Sequence, residues 1–191
     1  MRRLVLTLFP ALVAAGPAFA HLDPGAHGSF AAGLSHPVFG ADHILAMVAV
    51  GLWAASLGGR AFVALPLGFV GAMALGFVVS LGGLPLPMVE PMILVSVLVL
   101  GVLVATAVRL PLSAAVAITA AMGLFHGHAH GAEIGGAAAL SYLAGFVTAT
   151  AALHALGAAA GWALGRFGGA LVARGAGAAV AIGGSALVMA G

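Results

Sequence analysis

Residues 111–133 read PLSAAVAITAAMGLFHGHAHGAE. From Leu112 to Phe125 only Ser113 and Thr119 are polar, and then three histidines and one glutamate follow at once. A helix rising about 1.5 Å per residue crosses a hydrocarbon core of roughly 30 Å in about 20 residues, close to the length of the run from Pro111 to Gly131. The two-residue alternation of a barrel strand is missing, so the stretch predicts a membrane helix with polar chemistry at one end. Its last turns hold three of the chain's eight histidines and one of its four acidic residues. At about 100° per residue, His126, His130 and Glu133 share a sector of roughly 60°, and His128 points to the other side. Gly123, Gly127 and Gly131 form a small-residue edge beside that sector, where a second backbone can come close. An imidazole–imidazole–carboxylate face in a hydrocarbon setting is costly and marks function. It reads as a metal site.

The whole chain repeats the pattern of this stretch. It has 191 residues, 63% hydrophobic and 5% charged, with a mean hydropathy of +1.25. Charge this sparse excludes a water-soluble domain, and 30 glycines predict closely packed helices. The basic pI of about 10.6 comes from six arginines against four acids. No basic run is present to track nucleic acid. There is no cysteine, so any metal must be held by nitrogen, oxygen or thioether ligands.

Residues 1–20 predict a cleaved secretory signal: Arg2-Arg3, a short apolar core, and Ala18-Phe19-Ala20 as the cleavage site. The competing reading is an uncleaved first membrane helix, which Pro10, Gly16 and Pro17 weigh against. Residues 21–36 are too polar and broken to span and predict a short external segment. The expected fold over 21–191 is therefore all-α, one domain of six transmembrane helices at about 37–58, 61–82, 88–108, 111–131, 137–164 and 169–190. With the mature N-terminus outside, Arg60, Arg109, Arg166 and Arg174 all fall on the cytoplasmic side, as the positive-inside rule requires. Both mature termini are then periplasmic, on a multi-pass protein of the bacterial inner membrane.

This topology gathers the rare polar groups toward the outer half. His36 and His43 are seven residues apart and are expected to share a face of the first helix, with Pro37 in its first turn and Met47 one turn on. Asp42 lies about 100° away, where it either ligates from the flank or accepts an imidazole N–H and sets the tautomer. Neutral imidazole suits nickel, cobalt, zinc and copper. Glu90 is placed at the outer end of the third helix and His154 near mid-membrane in the fifth. His21, freed by cleavage, would offer both its α-amine and its imidazole to one ion.

The run His36-Pro37-Val38-Phe39-Gly40-Ala41-Asp42-His43 and the run Phe125-His126-Gly127-His128-Ala129-His130-Gly131-Ala132-Glu133 together resemble the HupE/UreJ family. The resemblance covers essentially the whole chain, and the motif residues show no departure. It implies a secondary permease for nickel, with cobalt as a related cargo, serving hydrogenase or urease maturation. It also implies that His36, Asp42, His43, His126, His130 and Glu133 line the metal path; His21, Met47, Glu90, His128 and His154 are secondary candidates by their positions in the chain. The implied partners are the divalent ion, the bilayer, maturation proteins or a metallochaperone, and other copies of the chain. No catalytic cofactor and no nucleic acid is expected.

Each of these readings has a plainer competitor. His126, His130 and Glu133 could be an inter-helix hydrogen-bond cluster. His36, Asp42 and His43 could be a helix start with solvated histidines, and Glu90 a charge complementing a helix dipole. His128 suits a solvated or headgroup position, His154 a helix–helix hydrogen bond, and the methionines core packing. Two other functions compete with transport: a membrane accessory subunit holding a structural metal, and a membrane metallohydrolase. The chain has no HExxH run to support the second.

Overall fold

The computed structural model describes residues 29–131, 134 and 138–190. The expected signal segment, His21 and Glu133 lie outside the described residues. Every regular element among the described residues is helical: α1 Phe30–Phe39, α2 Ala41–Leu57, α3 Ala61–Leu81, α4 Val89–Thr106, α5 Leu112–Gly131, α6 Ala139–Ala163, a π-helical turn Leu164–Gly168, and α7 Gly169–Ala190.

The start of the chain's first span differs from expectation. A single helix over 37–58 is replaced by α1 and α2, which meet at an 85° bend. Gly40 sits between them in an extended conformation (φ −93°, ψ 116°) and is the residue before α2. Pro37 lies inside α1 and is buried there, rather than opening a helix. It has no N–H to continue the ladder, so the helix is weakened just where the chain must turn. Ser29 starts α1 by accepting the Ala32 N–H at 3.0 Å, so residues 30–36, expected as irregular, are helical.

Two glycine rows fix which helices lie together. A Cβ built at Gly123, Gly127 or Gly131 of α5 would collide with the backbone of Phe69, Met73 or Phe77 of α3. The pairing advances four residues on each side in step, so α3 and α5 run parallel in tight contact. Gly51 against His154 and Ala158, and Gly157 against Val48, join α2 to α6 in the same way. On α7, Gly177 meets Ala105 and Gly184 meets Leu98 of α4, a register that falls as α7 advances. So α7 is antiparallel to α4.

These registers sort the molecule into two ends. One end gathers the start of α2, the ends of α3 and α5, and the starts of α4 and α6, and carries the histidines. At the other, Arg109, Arg166 and Arg174 line one cavity, and Arg60 and Arg109 line another. The chain reverses between α6 and α7, where Gly169 takes a positive φ of 79°.

Four stretches are long and apolar enough to cross a membrane, with Ala139–Ala190 taken as one; the bent pair α1–α2 makes five. Large apolar side chains such as Leu67, Leu75, Leu156 and Leu171 face outward, whereas the described histidines turn inward. A protein that exposes leucine and buries imidazole is built for a lipid surround. This is a helical membrane protein.

Candidate metal centre

The bend at Gly40 swings α1 back over α2, so His36 and His43 meet across a corner instead of along one face. Their ring centroids are 5.5 Å apart. His130, from the last turn of α5, completes the group at 4.1 Å from His36 and 4.9 Å from His43. One ring nitrogen of each of these three histidines lies within 4.8 Å of the others. His43 and His130 are buried and His36 is half-buried. The solvated-histidine alternative therefore does not describe them.

Asp42 settles the chemistry of His43. Its Oδ1 accepts the His43 backbone N–H and the His43 Nδ1–H, each at 2.8 Å. With the proton held at Nδ1, the lone pair of a neutral His43 is at Nε2, the atom aimed at His130 Nε2 across 2.7 Å. Two imidazole nitrogens bound at about 2.0–2.1 Å and at right angles on one ion sit ~2.9 Å apart. The pair is thus already spaced within a few tenths of an ångström of shared ligation. Asp42 acts by orienting His43, one of the two roles read from the sequence. Asp42→Asn is expected to weaken the binding of a divalent metal ion at the trio about 10- to 100-fold, the usual cost of losing a carboxylate behind a ligating histidine. Equilibrium dialysis of the purified protein checks this; unchanged affinity would remove Asp42 from the site.

His126 sits beside the trio, its ring 5.2 Å from that of His43. Its Nδ1–H donates to the Met122 carbonyl at 2.9 Å, so its lone pair is at Nε2. That buried Nε2 has no hydrogen-bond partner among the described residues. Next along is Phe69, whose ring lies 5.3 Å from His126 and 5.0 Å from His154. His154 is 1% exposed, and neither of its nitrogens finds a partner among the described residues. The helix–helix hydrogen bond that would explain it is therefore not made there.

The remaining candidates stand apart. His128 faces away from the cluster, as its helical position requires, but it is buried rather than solvated. Its Nε2–H donates to the Leu84 carbonyl at 2.8 Å and ties α5 to the loop after α3. Glu90 is exposed in the first turn of α4. Met47 is fully buried in the apolar core.

Two neighbours go beyond what the sequence pointed to. Phe146 packs edge-on to His130 at 5.0 Å, and Tyr142 lies 6.2 Å from His36. Both come from α6, and the Tyr142 ring also stacks on that of Phe77 of α3 at 6.1 Å. Tyr142 is the chain's only tyrosine, the one signal that sets it apart.

A lipid-embedded helical bundle with a convergent cluster of three histidines defines the class: a helical membrane protein with a candidate metal site. The chain belongs to the HupE/UreJ family: the family described as HupE / UreJ protein matches residues 9–187. The chain is similar to Protein HupE of Rhizobium leguminosarum bv. viciae, with 47% identity over 154 residues covering 80% of each chain. No solved structure matches.

Proposed function

We propose that this chain carries a divalent transition-metal ion, nickel foremost and cobalt as the alternative, inward across the inner membrane toward hydrogenase or urease maturation. The observation that carries the reading is the convergence of His36, His43 and His130 from two distant stretches of sequence onto one ion-sized space. The ion is cargo, so the site must bind without trapping. Neutral imidazoles satisfy that need because they bring no negative charge of their own to hold the cation. Membership of the HupE/UreJ family fits a non-enzymatic accessory or transport role.

The inward route in this reading follows the rings in series, from the trio to His126, past Phe69, to His154. Support comes from the unsatisfied lone pairs of His126 and His154, buried groups that otherwise cost free energy for nothing. Six crossings fit the reversal before α7, which divides Ala139–Ala190 into two spans. All four described arginines then lie on the cytoplasmic side and both termini on the periplasmic side.

The test is uptake of radioactive nickel into proteoliposomes, with cobalt and zinc as competitors, beside a His154→Ala variant. Saturable nickel flux is expected for the native chain. His154→Ala is expected to keep nickel affinity at the trio and to slow flux by at least about tenfold, equivalent to losing roughly 1.4 kcal/mol at the deepest point of the path. Native flux in the variant would return His154 to a packing role. Tight binding without flux in the native chain would favour a structural ion joining α1, α2 and α5 in an accessory subunit.

A further inference from the structure

The arginine end holds a feature that metal transport does not use. A cavity of about 450 Å³ opens between the ends of α2, α4 and α6 and the start of α7. Arg109, Arg166 and Arg174 all line it, from three separate segments: the α4–α5 connection, the π-helical turn and the second turn of α7. Gly161 and Gly165 leave room on the α6 side. Arg174 is fixed in place, its Nε–H donating to the Ala105 carbonyl at 2.7 Å, which leaves its terminal nitrogens for another acceptor. The described acids, Asp42 and Glu90, both sit at the histidine end, in the first turns of α2 and α4. Three cations thus share one concavity with no carboxylate among the described residues to offset them. Such an arrangement is self-repelling until an anion joins it.

The surroundings say what kind of anion. Trp162 lines the same cavity and is 56% exposed. Its ring meets that of Phe167 edge-on at 6.0 Å, and Phe167 and Leu171 are among the most exposed apolar side chains of the molecule. An apolar track leading from a cationic pocket at the end of a membrane bundle suits an amphiphile. Tryptophan at that depth is the usual companion of lipid headgroups. Basic pockets between membrane helices on the cytoplasmic face hold anionic headgroups in the same manner.

We propose that this cavity binds an anionic phospholipid, its phosphodiester among Arg109, Arg166 and Arg174 and an acyl chain along Trp162, Phe167 and Leu171. The site joins α7 to the ends of α4 and α6 through the lipid, at the place where the chain reverses. It depends on the membrane setting alone and is independent of what the histidines carry.

The chain has two tryptophans, and Trp53 is fully buried, so quenching by lipid reads Trp162. The protein is reconstituted in mixed vesicles of phosphatidylcholine and phosphatidylglycerol, with bromine on the acyl chains of one or the other. Brominated phosphatidylglycerol is expected to quench with a relative association constant at least about tenfold above brominated phosphatidylcholine, whose headgroup brings its own cation against the arginines. Arg166→Gln/Arg174→Gln should bring the ratio to about one. Arg166→Lys/Arg174→Lys, which keeps the charge, should retain most of it and guards against misfolding as the cause. Arg60→Gln, outside this cavity, should leave it unchanged. Equal quenching by the two lipids in the native chain, or an undiminished ratio in the glutamine variant, would overturn the proposal.

Discussion

His130→Ala is expected to lower nickel affinity by at least about 100-fold and to reduce saturable uptake to background. Outer-shell changes at metal sites already cost 10- to 100-fold, and His130 would contribute a ligand itself. It is the member of the trio nearest to both others, facing His43 across 2.7 Å and His36 at 4.1 Å between ring centroids. Without it, His36 and His43 face each other from two arms of a bend, and α5 offers only His126, a step further along beside His43. The informative control is His128→Ala, two residues away on the same helix. Loss of His128 removes its hydrogen bond to the carbonyl of the exposed Leu84 and should cost stability of about 0.5–1.5 kcal/mol, the net worth of one part-buried hydrogen bond. It should leave nickel affinity within a few-fold. Two neighbouring histidines are thus expected to fail in opposite ways, one in binding and one in folding. Equilibrium dialysis and thermal unfolding in detergent separate the two, and equal nickel binding by His130→Ala and native protein would end the three-histidine reading.

The contrast between His128 and His130 is legible in the sequence itself, because 100° per residue turns one away from the other. What periodicity cannot supply is the partner across space. Helical spacing groups His130 with His126 and Glu133, its neighbours along α5. In the fold His130 joins His36 and His43, while His126 lies a step further along the row of rings. Both motifs are visible in the chain, and each places ligand-type residues at a helix end. Their meeting depends on the direction of α1, and that is set by an 85° bend at Gly40. From sequence, Pro37 reads equally well as the opening of a long helix, since proline is at home in a first turn. The aromatic pair on α6 is hidden for a similar reason. Tyr142 and Phe146 are four apart in an apolar helix, a spacing that ordinary packing produces as readily as a binding site. The directions of the helices are more accessible. Arginines confined to the loops expected inside mark one end of the bundle, and those described gather at one end here.

Gly127→Leu is expected to destroy nickel binding with every candidate ligand still in place. A side chain at Gly127 must enter space held by the carbonyl and Cα of Met73, and backbone atoms within a helix cannot step aside as a flexible side chain would. The same holds one turn before and one turn after, at Gly123 against Phe69 and Gly131 against Phe77. A single leucine therefore cannot be accommodated by sliding α5 along α3; the two helices must separate. Overpacking of well-packed interiors costs roughly 1–3 kcal/mol, and contact with backbone puts this site at or above the upper figure. At about 2–4 °C per kcal/mol for a chain of this size, unfolding in detergent should fall by roughly 10 °C. His126 and His130 ride on α5, so separation carries them away from His36 and His43 on the other arm of the site. Gly71→Ala provides the matched control. Gly71 is on α3 and exposed, and nothing lies within 4 Å of a Cβ built there. Since alanine favours a helix over glycine by about 1 kcal/mol, this variant should melt at or slightly above the native temperature and bind nickel normally. If Gly127→Leu instead melted and bound as the native protein does, α3 and α5 could not be in backbone contact. The position of His130 against His43 would lose its support with them.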